Sequence, residues 1–247
     1  MRADMTRRAA LVISFLVTIA FVIPASQADA QWYFAGYLGA NSTSAADVSI
    51  DVPASNLSLT FRDVEFDAHP FESPQYYGWR LGKLFAAGGR VGAEFEFTHL
   101  KVIGVTDAVY PVDGTSGSVV FPPGAPMRTV VERYSMTHGL NFLIGNLVVR
   151  EPLGSGRAAF VGRVGAGTTI PHTETTVLGG SVDKYESGGF GFHAAAGVDV
   201  RLNGRLSLVG EYKFTHASPE ISVTGGTGHT TASSHHVAFG LAFGMSR

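Results

Sequence analysis

The chain has no cysteine, which excludes a disulfide framework and any thiolate metal site. It is also poor in charge. Asp, Glu, Lys and Arg make up 15% of its 247 residues, and a formal net charge of -2 leaves no basic footprint for nucleic acid. Past the first thirty residues no apolar run approaches the roughly 18 residues that a membrane-spanning helix needs. Embedding in a bilayer would then require a closed β-barrel, because only helices and barrels satisfy every backbone group in lipid.

Glycine, by contrast, is abundant at 31 residues, often set between large apolar side chains. From His236 to Met245 the large residues Val237, Phe239, Leu241 and Phe243 alternate with Ala238, Gly240, Ala242 and Gly244. A strand built this way turns its bulky face toward lipid and its small residues inward. The pattern recurs along the chain in stretches of about 9 to 11 residues, the length of a bilayer-crossing strand.

The N-terminus sets the compartment. Arg2, Arg7 and Arg8 precede an apolar run from Ala9 to Ile23, and Ala28-Asp29-Ala30 follows Pro24. This is the order of an export signal with an A-x-A cleavage site, so residues 1–30 are expected to be removed and residues 31–247 to form one barrel domain. The expected location is the bacterial outer membrane.

The alternation predicts an all-β fold, an eight-stranded antiparallel up-and-down transmembrane β-barrel. Its strands are expected at Trp32 to Ala40, Tyr76 to Phe85, Arg90 to Val102, Val131 to Val149, Arg157 to Ile170, Gly189 to Arg201, Leu206 to His216, and a final one through Met245. Short turns at Ala86-Ala87-Gly88-Gly89, Pro152 to Gly156 and Asn203-Gly204 alternate with long polar loops, as periplasmic turns alternate with surface loops. With the apolar sets outward, Arg80, Glu94, Glu96, Arg163, Asp199, Glu211 and Lys213 fall inside. Eight strands leave a lumen that side chains can fill, and paired charges are the economical filling, so a large diffusion pore is not expected.

The histidines can be placed by the same parity. His99 continues the face of Phe95 and Phe97, and His138 that of Leu140, Phe142 and Ile144. His172 and Glu174 continue that of Val164, Thr168 and Ile170, and His216 that of Tyr212 and Phe214. All are expected to look outward, whereas His193 looks inward. His99, His138 and His172 fall near the outer ends of three adjacent strands, where with Glu174 they are ligand types suited to a divalent metal ion and to acid–base chemistry. The alternative is a girdle of amphipathic aromatics at the membrane interface, and a β-bulge would invert the parity of any strand that carries one.

Five runs carry a family resemblance: Phe71-Glu72-Ser73-Pro74-Gln75-Tyr76-Tyr77-Gly78-Trp79-Arg80, Phe97-Thr98-His99-Leu100-Lys101-Val102, Gly139-Leu140-Asn141, Gly165 to Glu174 with its Ile170-Pro171-His172-Thr173-Glu174 ending, and Glu211-Tyr212-Lys213-Phe214-Thr215. They resemble stretches of the rhizobial lipid A oxidase-like barrels, over most of residues 31–247. The resemblance implies an outer-membrane enzyme that uses oxygen to oxidise the proximal glucosamine of lipid A, with a divalent metal ion as cofactor. On the matched positions His99, His172 and Glu174 are the catalytic candidates. The metal candidates are His99, His138, His172 and Glu174, and His138 stands where that family leads one to expect an acidic residue. A shorter likeness, His216-Ala217-Ser218, resembles the His-x-Ser of lipid A deacylase barrels, with Pro219 where an Asn is expected.

Two function classes remain at this level. One is a lipid A-modifying enzyme working at the outer leaflet. The other is a non-catalytic barrel whose surface loops bind a partner or whose body stabilises the envelope. Either is expected to contact outer-membrane lipid and lipopolysaccharide, to pass through the barrel-assembly machinery, and to stand as a monomer.

Overall fold

The computed structural model describes residues 31–85, 89–154 and 156–245. The expected signal peptide, most of the Ala86–Gly89 turn, Ser155 and the last two residues lie outside the described residues.

Fifteen strands account for nearly all regular structure among the described residues: β1 (Gln31–Thr43), β2 (Ala46–Val52), β3 (Leu57–Val64), β4 (Phe66–Asp67), β5 (Tyr77–Phe85), β6 (Val91–Gly104), β7 (Val112–Thr115), β8 (Val131–Leu153), β9 (Ala158–Val177), β10 (Gly180–Tyr185), β11 (Gly189–Arg201), β12 (Leu206–Ala217), β13 (Glu220–Val223), β14 (Gly226–Thr230) and β15 (Ala232–Met245). The long strands β1, β5, β6, β8, β9, β11, β12 and β15 pair antiparallel in that order. The ring then closes, because β15 pairs back onto β1 from Trp32 opposite Met245 to Thr43 opposite Ser234. Eight strands with no free edge satisfy every backbone group in the wall, which is the condition for crossing lipid.

The outer surface follows the expected alternation. Val237, Phe239, Leu241 and Phe243 are exposed, whereas Ala238 is buried. Phe34, Leu81, Phe95, Phe160, Val164, Leu208 and Tyr212 continue this apolar belt around the ring. Such a surface is unfavourable in water and is what a hydrocarbon layer requires. Inside the wall, small residues leave room for large ones opposite them. A Cβ placed on Gly78 would lie 2.1 Å from the Tyr37 ring, so glycine is the residue that lets this tyrosine cross the lumen.

β8 departs from expectation. Leu140, Phe142 and Ile144 are buried, and they face the interior rather than lipid. They pack with Tyr37, Tyr76, Leu100, Val102 and Met136 into an apolar layer that fills the outer half of the lumen. Apolar residues therefore mark lipid only where the lumen beside them is polar.

The long connections are also more ordered than their polar composition suggests. Segments from three of them form a second, five-stranded sheet in the order β13-β14-β2-β3-β7. Its apolar face, with Val48, Ile50, Leu59, Phe61, Ile221 and Val223, packs on Val131, Tyr134 and Val177 where β8 and β9 rise beyond the belt. The sheet caps the barrel at the end opposite the tight turns.

Candidate active site on the outer wall

β9 does not stop at Ile170, as expected, but runs to Val177 with β10 folded back beside it. His172 and Glu174 thus sit on a rigid strand just past the apolar belt, not in a loop. On the neighbouring β8 the register against β9 shifts between Ser135 and Leu140. Residues 136–139 form this bulge, and Gly139 at its end has φ +108°. The bulge releases His138 from the inward face of Leu140, so its side chain is 58% exposed and comes to Glu174.

Glu174 is the centre of the group. Its side chain is only 4% exposed, and one carboxylate oxygen lies 2.7 Å from His138 Nδ1 and 3.3 Å from His172 Nδ1, with the Thr137 hydroxyl donating to it. The other oxygen accepts from the Arg133 guanidinium. His172 is held from both sides, since its Nε2 lies 3.2 Å from Asp183 Oδ1 on β10 and its ring packs edge-on against Tyr185. The candidate ligand atoms of His138, His172 and Glu174 all lie within 4.8 Å of one another. Two imidazoles and one carboxylate are a recognised donor set for first-row metals, and Asp183 stands where an outer carboxylate orients a ligating imidazole. The donor chemistry therefore fits a divalent cation.

His99 is placed differently. It is buried on the outward face of β6, stacked on Tyr77 at 5.0 Å, and its Nδ1 lies 2.9 Å from Asn141 Oδ1. Asn141 uses its amide N–H toward the Ile170 carbonyl at 3.0 Å, so its oxygen faces the imidazole and His99 donates from Nδ1. This leaves the Nε2 lone pair buried and without a partner among the described residues. His99 does not join the three-residue cluster. Arg133, Thr137, Asp183 and Tyr185 carry no motif, and the last two lie in a stretch that reads as loop.

Imidazoles also recur around the same level of the wall. His216 lies on Phe192 at 5.0 Å and His235 on Phe214 at 5.2 Å. The girdle and the cluster are both present, but among the described residues imidazoles gather with a carboxylate on the outer wall only at β8–β9. The His-x-Ser likeness does not form a catalytic pair, because His216 Nδ1 meets Ser233 Oγ at 2.9 Å while Ser218 bonds Thr231.

The lumen below the apolar layer is filled by charge. Arg80, Arg163 and Lys213 interleave with Glu94, Glu96 and Glu211, all of them buried. Arg80 lies 3.0 Å from Glu96 and also reaches Glu211; Arg163 lies 2.6 Å from Glu211 and 3.2 Å from Glu94; Lys213 pairs with Glu96. Tyr33 and Tyr37 donate to Glu94 and Glu96, and Asn146 bridges both carboxylates. His193 is inside as expected, 3.5 Å from Glu96. Three cations against three carboxylates leave no unpaired charge, which is the condition under which ions tolerate burial.

Where cap meets wall, Glu186 accepts from the Ser222 N–H at 2.8 Å, the Ser222 hydroxyl at 2.7 Å and the Thr173 hydroxyl. Partial burial pushes its carboxyl up, but these hydrogen bonds and Lys184 outweigh burial and hold it below the ordinary carboxylate range.

No protein-family model matches the chain, and no curated protein matches it either. Among solved structures it is similar to Neisserial surface protein A, at 9% identity over 87% of this chain and 99% of that one, with a TM-score of 0.43. It is also similar to the outer membrane protease OmpT from Escherichia coli, at 6% identity over 87% and 97% with a TM-score of 0.45. A third is the outer membrane protein OprG from Pseudomonas aeruginosa, at 11% over 88% and 95% with a TM-score of 0.39. At these overlaps the fold rests on the strand pairing itself. A closed eight-stranded ring with a lipid-facing belt, tight turns at one end and elaborated loops at the other defines an outer-membrane β-barrel.

Proposed function

We propose that this barrel modifies an outer-leaflet glycolipid of the lipid A type, as the resemblance to the lipid A oxidase-like barrels implies, at the site formed by His138, His172 and Glu174. The observation that carries the reading is the position of that cluster: two imidazoles and a carboxylate converge on the outer face of the wall, just beyond the apolar belt. A filled lumen gives a substrate no route through the barrel, so access is sideways from the leaflet, where lipid A head groups lie.

The roles follow from the geometry. Arg133 occupies one oxygen of Glu174 and fixes the other toward both imidazoles. Asp183 orients His172, and the exposed His138 turns the cluster toward the leaflet where a sugar head group would approach. A divalent cation held by His138, His172 and Glu174 would supply redox chemistry toward oxygen. His99, with its Nδ1 directed to Asn141, keeps its Nε2 buried beside this face and outside the cluster.

The test is mass spectrometry of lipid A from cells carrying the wild-type chain, His172→Ala, Glu174→Gln or none, with folding checked by heat-modifiable gel migration. The expected result is a gain of one oxygen mass that needs air, His172 and Glu174. A gain that survives both substitutions would move the chemistry off this site. Lipid A unchanged by a folded wild-type barrel would favour a second reading, supported by the ordered five-stranded cap, in which the cap binds a partner and the barrel is its anchor.

A further inference from the structure

The charge balance of the lumen does not hold at its periplasmic mouth. There the interior opens into a cavity of about 320 Å³ whose lining includes Arg150, Arg163, Arg201 and Arg205, with Asp199 the carboxylate among them. Arg163 is committed to Glu94 and Glu211 above. Arg150, Arg201 and Arg205 make no ion pair among the described residues, and Asp199 keeps one buried oxygen without a hydrogen bond. The arrangement is built by the wall. Arg150 continues the inward face of Val148 on β8, and Arg201 that of Asp199 on β11. Arg205 sits where the β11–β12 turn closes, its N–H donating to Asn203 Oδ1 at 2.9 Å.

We propose that this mouth is a binding site for a small oxyanion carrying two negative charges, a phosphate or a dicarboxylate, drawn from the periplasm. Three physical features favour that class. Guanidinium groups match the paired oxygens of phosphate and carboxylate. A concave site with low-dielectric walls focuses their field toward the opening. Among the described residues, three unpaired guanidiniums against one aspartate leave an excess of two positive charges, which a dianion neutralises and a monoanion does not. Asp199 opposes the ligand and sets an upper limit on affinity. The site faces away from the outer-wall cluster and is independent of the function proposed there.

Titration calorimetry on the full chain in zwitterionic micelles at low ionic strength tests this, with inorganic phosphate, succinate and nitrate as probes. Phosphate or succinate is expected to bind, and the better of the two identifies the source class, with nitrate at least about tenfold weaker. Arg201→Gln combined with Arg205→Gln is expected to cost at least about tenfold in affinity, and both residues lie at the open mouth outside the buried network, so the barrel should still fold. Asp199→Asn should tighten binding, which a merely structural role would not do. The proposal is overturned if neither dianion binds, if nitrate binds equally well, or if the double substitution keeps wild-type affinity.

Discussion

Arg163 on β9 places Nη1 2.6 Å from a carboxylate oxygen of Glu211 on β12, across the intervening β11, with both side chains buried. Glu211 also holds Arg80, so its loss would leave three cations against two carboxylates in a closed interior. Glu211→Leu is expected to destabilise the barrel by about 3–5 kcal/mol, the cost of breaking a buried pair from one side. Adding Arg163→Met should recover part of that loss, because it removes the one excess cation and restores the balance. Denaturant unfolding in lipid vesicles measures both, and a single variant as stable as the wild type would show that water already penetrates the network.

The lumen is closed at successive levels: the charge network, then the layer of Tyr76, Leu140 and Phe142, then the cap. Planar-bilayer recordings of the intact protein are therefore expected to show no steady conductance of the size a general diffusion pore gives. A persistent open level in the wild type would mean that one of these layers moves aside.

Much of this was legible in the chain because barrel strands obey a period of two with a polar interior. Glu94 and Glu96 opposite Phe95 and Phe97 are enough to place β6, and the inward charges emerge from the same count. β8 was misread because the sorting rule, apolar out and polar in, fails where Leu140, Phe142 and Ile144 fill an apolar stretch of lumen. The cap escaped for another reason. Its strands are short, and pairings such as β14 with β2 join residues far apart in sequence, so no local pattern announces them. At the outer-wall site His172 and Glu174 were readable from parity, but His138 arrives through a bulge and Asp183 through a strand within an expected loop.

Gly139 couples that bulge to the site. Its φ of +108° suits glycine, and a Cβ there would lie 2.4 Å from His99 Nδ1 and 2.8 Å from Asn141 Oδ1. Gly139→Ala is expected to cost about 1–3 kcal/mol through backbone strain and to displace the His99–Asn141 pair. Because the bulge is what carries His138 to Glu174, divalent-cation binding, followed with cobalt or zinc by calorimetry, should weaken as well. Unchanged stability and unchanged cation affinity would together show that the bulge does not depend on this glycine.

Glu186 gives the cap a pH dependence whose direction is fixed. Its carboxyl is held below the ordinary carboxylate range by donors from both cap and wall, namely Thr173 on β9 and Ser222 on β13. A depressed folded value means that the carboxylate stabilises cap docking fully above about the unfolded value, and that this contribution is lost as pH falls through the folded one. The protection of the β13 amides, taken as exchange relative to the intrinsic rate at each pH, should accordingly fall on acidification below about pH 4.5, while that of amides in the barrel wall holds. Glu186→Gln should exchange faster at neutral pH and lose much of that acid response, since the amide cannot match the carboxylate as an acceptor for three donors. If β13 protection in the wild type is flat across this window, the cap is held by its apolar face on Val131, Tyr134 and Val177 alone.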